Sequence, residues 1–294
     1  MGIIKVLSIL FSVLVFIGVM SVIGVSAIFS PVVANAEPTA VPFAWQSLEI
    51  AAAKTCPGLS WTVLGSIALI ESDSGQSPAP GVQSGTNQAG AMGPMQFEPA
   101  TFAQYAVVGP GGAIPPSPYN SIDAVYTAAH MLCVDGASNA STLSGAVWSY
   151  NHSNGYVASV LVLAQALSSM PNISVSDAQI VLFAANQIGV PYKWGGTNNS
   201  GFDCSGLTQA AYNAGGILIP RTAQQQFNFS PPIPFSLPVQ PGALVYFGAS
   251  TSAIEHVGIF IGKGDMIDAP HQGAKVRIDS ATWSNYVGAN SPVP

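Results

Sequence analysis

Two segments carry residues able to build a nucleophile: Asp203-Cys204-Ser205-Gly206 and, far downstream, Glu255-His256-Val257-Gly258. A cysteine attacks a carbonyl carbon as the thiolate, and a neighbouring imidazole is a common means of making one. A third residue of interest is Glu71, which follows the apolar run Trp61-Thr62-Val63-Leu64-Gly65-Ser66-Ile67-Ala68-Leu69-Ile70. A carboxyl at the end of an apolar stripe, placed in a partly dry cleft, keeps its proton and serves as a general acid. The plain alternatives are a packed structural cysteine, a histidine satisfied in a sheet, and a helix-end glutamate that escapes to water.

The elements that must position these groups are legible nearby. Asp203 is an N-cap residue, which sets Cys204 in the first turn of a helix through Leu207, Ala210, Ala211 and Tyr212, stopped by Gly215-Gly216. There the thiol faces the positive end of the helix dipole, which favours the thiolate. His256 opens a run that reads as a strand as far as Gly262. At about 100° per residue, Leu64, Ile67, Ala68 and Glu71 share one stripe of a helix, while Asp73 points the opposite way.

Four motifs resemble, in order and spacing, the NlpC-type cell-wall cysteine peptidases. They are Pro191-Tyr192-Lys193-Trp194-Gly195-Gly196, the Asp203–Gly206 segment, Gln240-Pro241-Gly242-Ala243-Leu244-Val245-Tyr246-Phe247 and the histidine strand. The resemblance covers about residues 177–294. It implies a papain-like α+β domain, with a nucleophile helix against an antiparallel sheet that carries the base. It also implies cleavage of peptidoglycan stem peptides, usually between γ-D-glutamate and a diamino acid. Carried over by position, Cys204 is the nucleophile and His256 the general base, with Tyr192 and Asp203 as pocket residues. For Tyr192 and Asp203, a core aromatic and a helix cap are the competing readings.

The orienting residue falls in Met266-Ile267-Asp268-Ala269-Pro270-His271, at Asp268 by alignment, where that family often has His, Asn, Gln or Glu. A carboxylate suits the role, because it holds the imidazole and stabilises its cation. Strand parity offers a check. A plain two-residue turn at Lys263-Gly264 puts His271 opposite His256, whereas a bulge or an odd loop brings Asp268 to the same face. The glycines at 262 and 264 make the bulge reasonable, so Asp268 comes first and His271 second.

Upstream, Ile70-Glu71-Ser72, then Gly90-Ala91-Met92-Gly93-Pro94-Met95-Gln96-Phe97, then Trp148-Ser149-Tyr150-Asn151 resemble the lysozyme-like lytic transglycosylases. This resemblance carries Glu71 over as the sole catalytic acid/base and places Gln96 and Tyr150 along a sugar cleft. A lone carboxylate suffices for such an enzyme, because a hydroxyl of the sugar itself attacks the anomeric carbon. Glycosidases of the retaining or inverting kind need two carboxyls. Glu98 and Asp73 are the candidates for a second one, and hydrolysis stays open.

A chain of 294 residues accommodates two domains. The expected class is α+β overall: a mainly α lysozyme-like domain at 45–168, then a papain-like domain at 177–294. The short polar link Ser168–Ser176 joins them. At the N-terminus, Lys5 precedes an uncharged run from Val6 to Val33, followed by Ala34-Asn35-Ala36. The run exceeds the roughly 20 residues that span a bilayer, while the Ala-Asn-Ala suits signal cleavage. Residues 1–36 therefore read as a hydrophobic helix that is either a membrane anchor or a signal peptide, and both place the domains outside the cytoplasm.

Cys56 and Cys133 suit a disulfide in that compartment, leaving Cys204 as the odd thiol. No Cys/His cluster has metal-ligand spacing, so neither a metal nor another cofactor is expected. Few charges and a net of −6 argue against nucleic acid. The expected partner is peptidoglycan, with the membrane if the helix is retained. Pairing a glycan-cleaving with a peptide-cleaving domain suggests wall remodelling, or a passage for a secretion or conjugation apparatus; the alternative is a catalytically inactive peptidoglycan-binding scaffold.

Overall fold

The computed structural model describes residues 38–292, so the N-terminal apolar run and its Ala-Asn-Ala lie outside the described residues. Among the described residues no helix is long and apolar enough to cross a membrane. The first half is helical: α1 (Phe43–Ala53), α2 (Trp61–Ser72), α3 (Pro99–Tyr105), α4 (Ser121–Leu132), α5 (Leu143–Asn151) and α6 (Asn154–Ser169). Local capping explains the starts. Ser60 accepts from the Thr62 amide, Asn120 from those of Ile122 and Asp123, and Ser153 from that of Tyr156. The stripe Leu64, Ile67 and Ala68 of α2 is fully buried, packed with Val125, Ala128 and Leu132 of α4 and with Met95 and Phe97.

α4 stops at Leu132, and Cys133–Ala137 form a wide turn in which Gly136 has φ 103°. Cys133 is bonded there to Cys56, with 5.6 Å between their Cα atoms. The long loop before α4 is organised by buried Asp123, whose carboxylate accepts from the amides of Gly109, Ala113 and Ser117. Three amide donors compensate the burial of that charge.

The second half is α+β. It contains α7 (Val175–Asn186), β1 (Thr197–Asn198), β2 (Gly201–Phe202), α8 (Cys204–Ala214) and α9 (Ala223–Phe229). The strands β3 (Leu244–Ser250), β4 (Ala253–Gly262), β5 (Asp265–Asp268), β6 (Arg277–Ser280) and β7 (Tyr286–Asn290) follow. They form one antiparallel sheet in the order β6-β5-β4-β3-β7. The alternation of β3 and β4 covers both faces. Leu244, Tyr246, Val257, Ile259 and Ile261 join Ile180 of α7 and Leu207 and Ala211 of α8. Val245, Phe247 and Met266 face Ala281 and Ala289 on the other side.

The halves meet along α6. Its Val160 and Ala164 belong to the helical core, while Val162, Leu163, Ala166 and Leu167 belong to the core of the sheet half. Gln165 donates to the Gly262 carbonyl at 3.0 Å and to Asp265 Oδ2 at 2.9 Å. Within the connecting residues, Ile173 is fully buried and its carbonyl accepts from the Ala40 amide. Each buried aliphatic side chain contributes about 1.5–3 kcal/mol, so α6 is as much a part of one core as of the other.

Candidate active sites

Cys204 lies where the capping pattern puts it. Asp203 accepts from the Gly206 amide at 2.7 Å, Cys204 is the first residue of α8, and Gly215 caps its end. The Gly206 amide is thereby used, whereas the first amides of a helix have no carbonyl partner within it. The thiol is half-buried and shares its cleft with His256, whose pKa it helps to raise. The Nε2 atom of His256 meets Asp268 Oδ2 at 2.7 Å, which leaves Nδ1 as the ring nitrogen available to another partner.

Sheet register explains why Asp268 reaches the imidazole. Gly262 pairs with Asp265 across a tight turn in which Lys263 and Gly264 both have positive φ, 55° and 84°. That is the two-residue turn that would favour His271. A bulge between Phe260 and Gly262 then restores the parity, pairing Ile259 with Ile267. His256 and Asp268 therefore share a face. Gly258 helps: a Cβ there would lie 2.6 Å from Met266 Sδ and 3.4 Å from Asp268 Cβ, so the bare backbone leaves Asp268 its path. His271 is exposed and bonds only to the Gln272 carbonyl.

Electrostatics hold the proton on the imidazole. Burial alone would lower the His256 pKa, but the Asp268 and Cys204 partners outweigh it and push it up to about 9. Burial raises Asp268, and its bond to His256 pulls the other way. The ring also stacks on Trp283, with centroids 5.3 Å apart and planes at 25°. Sequence reasoning missed Trp283; a lone Trp between Thr282 and Ser284 gives no pattern to read.

The same cleft, about 440 Å³, is lined by Tyr192, Trp194, Asp203, Arg221, Glu255 and Pro270 among others. Tyr192 is raised by burial and then by the charges of Cys204 and Asp203. Asp203 does more than cap. Arg221 grips both its oxygens, Nη1 to Oδ1 at 3.0 Å and Nη2 to Oδ2 at 2.6 Å, and also donates to Ser205 Oγ. The Gly195 amide completes the set on Oδ2. Arg221 was the second residue missed, although a single arginine in Pro220-Arg221-Thr222 offered a signal.

Glu71 lies in a separate cleft of about 270 Å³, together with Gln96, Tyr150, Asn151, His152 and Glu98. Asp73 does not line it; it caps the end of α2 in the left-handed region. Burial raises Glu71 to about 7, with a hydrogen bond from Tyr156 pulling it back. That bond runs from the Tyr156 hydroxyl to Oε1 at 2.7 Å. Tyr156 stays protonated, because burial and then the Glu71 charge raise its own pKa. Its ring stacks on Tyr150, whose hydroxyl donates to the Met95 carbonyl at 2.8 Å. Gln96 is fixed by a bond to the Gly93 carbonyl and another from Asn87. Tyr156 was the third residue missed, 85 positions from its partner.

The comparisons with known proteins fall on the sheet half. Residues 189–289 match the NlpC/P60 family. The C-terminal region belongs to that family. Over that region the chain is α+β with one antiparallel sheet. The chain is 40% identical over 103 residues to the bifunctional muramidase/DL-endopeptidase CwlT of Bacillus subtilis, covering 34% of this chain and 31% of CwlT. It is 40% identical over 113 residues to the murein DD-endopeptidase MepH of Escherichia coli, covering 35% and 41%. A probable endopeptidase p60 of Listeria seeligeri is 38% identical over 109 residues, covering 37% and 20%. The chain thus spans about a fifth to two fifths of these relatives.

Proposed function

We propose that this chain is a bifunctional peptidoglycan hydrolase acting outside the cytoplasm. Its sheet half hydrolyses a stem-peptide bond between γ-D-glutamate and a diamino acid. The observation that carries this reading is that Cys204 and His256 line one cleft while buried Asp268 holds the imidazole from behind. Relatives named as endopeptidases over the same residues support it. The thiolate of Cys204, paired with the imidazolium, attacks the carbonyl carbon. Amides at the start of α8 stabilise the resulting oxyanion. His256 gives its proton to the departing amine as the C–N bond breaks, leaving a thioester. Water, deprotonated by the now neutral imidazole, attacks the thioester and releases the acid and the thiol.

The helical half cleaves the glycan between muramic acid and glucosamine. Glu71, held near 7 by burial, gives a proton to the glycosidic oxygen. Its carboxylate, steadied by Tyr156, then accepts the proton of the sugar hydroxyl that closes the anhydro ring. Gln96 and Tyr150 line the path of the strand. A second reading is lysozyme-type hydrolysis, favoured by Glu98, a second carboxylate on the same cleft.

Two lytic centres in one chain suit wall remodelling or clearing a passage for a secretion or conjugation apparatus. An N-terminal anchor or cleaved signal at residues 1–36 completes the proposal. Digestion of purified sacculi tests it: Cys204→Ala removes cleaved stems alone, and Glu71→Gln removes new glycan ends alone. Loss of both products in either variant contradicts two independent sites. Anhydro ends separate the transglycosylase from the hydrolase.

A further inference from the structure

Charge in the Cys204 cleft is almost entirely paired. Asp203 is held by Arg221, and His256 lies between Cys204 and Asp268. Glu255 is the exception: it lines the same cleft, is exposed, and makes no ion pair or hydrogen bond among the described residues.

Its presence there is a product of strand geometry. Successive residues of a regular strand point to opposite faces, so Glu255 would turn away from the side that His256 occupies. The pairing of β3 with β4 breaks at this point. Phe247 pairs with His256 and Gly248 with Ile254, so Glu255 is an extra residue opposite a single step of β3. Such bulges re-aim side chains beside active sites. Gly248 permits this one, because a Cβ at 248 would lie 2.1 Å from the Ala253 carbonyl oxygen. Ile254, Glu255 and His256 consequently all line the cleft.

We propose that Glu255 is a specificity residue that selects a peptide carrying a free side-chain amine on the leaving-group side of the scissile bond. The side follows from its neighbour: His256 supplies the proton to the departing amine, so the residue beside it meets the part of the substrate that departs. An ammonium there finds a carboxylate with no competing partner. In a wall stem that amine belongs to the diamino acid, and acylation during cross-linking removes its charge. Glu255 therefore directs cleavage to stems that are not cross-linked through that amine.

This inference rests on the peptidase reading, and the experiment separates the two. The full chain is given L-Ala-γ-D-Glu-L-Lys-D-Ala with a free ε-amine, then the same peptide Nε-acetylated, and kcat/KM is measured for each. The wild type prefers the free amine by about fivefold, the size of one exposed ion pair, and the preference shrinks in high salt. Glu255→Gln brings the ratio close to one, and Glu255→Lys inverts it toward an Nε-succinyl peptide. A ratio that persists in Glu255→Gln, or a wild type indifferent to acetylation, overturns the inference and leaves the peptidase reading intact. Cleavage of neither peptide by the wild type overturns both.

Discussion

The two clefts keep their acids in opposite electrical states. In the sheet half, a thiol, an imidazole and a carboxylate are linked, and the partners of His256 raise its pKa to about 9 despite burial. In the helical half, Glu71 has no charged partner among the described residues, and burial raises it to about 7. One site is built from mutual charge, the other from isolation. Mutual charge needs several residues in register from distant strands, whereas isolation needs only an apolar helix and a lid of aromatics.

That contrast is broken first at Asp268. Asp268→Ala removes the side chain that holds the imidazole and steadies its cation, so stem cleavage falls by about a thousandfold while glycan cleavage is untouched. Parallel rates on both substrates check this. The next effect is on the frame rather than the chemistry. Cys56→Ser with Cys133→Ser lowers unfolding free energy by about 2–4 kcal/mol, read from denaturant melts. Because α6 serves both cores, the loss appears in a single transition for both halves.

A smaller change sharpens the isolated site. Tyr156→Phe removes the bond that lowers the Glu71 pKa, so the pH at which glycan cleavage declines moves up, and the rate falls about tenfold. The smallest effect concerns Glu49, fully buried against Gly65 with neither oxygen hydrogen-bonded. Burial raises its pKa to about 8. The folded state therefore holds a proton that the unfolded state has lost, and stability falls as pH rises from the usual carboxylate range to about 8. Glu49→Gln removes that loss. Its melting temperature exceeds that of the wild type at pH 8 and matches it at pH 5.

What the sequence disclosed and withheld follows the same division. The Cys204 helix was legible because its start and stop are local: Asp203 caps and Gly215 ends it. The stripe leading to Glu71 was legible because its period is local too. Choosing between Asp268 and His271 depended on one inserted residue near Ile261, and periodicity alone cannot count a bulge. Arg221, Trp283 and Tyr156 arrive from other elements, so no spacing announced them. The joint core went unread, although the apolar residues of α6 from Tyr156 to Leu167 surround much of the helix. A helix apolar on more than one side is packed on more than one side.

The pH dependence of both products in one digest tests the central claim most directly. Sacculi are digested with the full chain between pH 5 and 10, and new glycan ends and cleaved stems are counted together by mass spectrometry. Glycan cleavage should decline through about pH 7, as Glu71 loses its proton, and stem cleavage should persist until His256 loses its own near pH 9. If the two products rise and fall together, the clefts do not hold their acids in the separate states described, and the account fails.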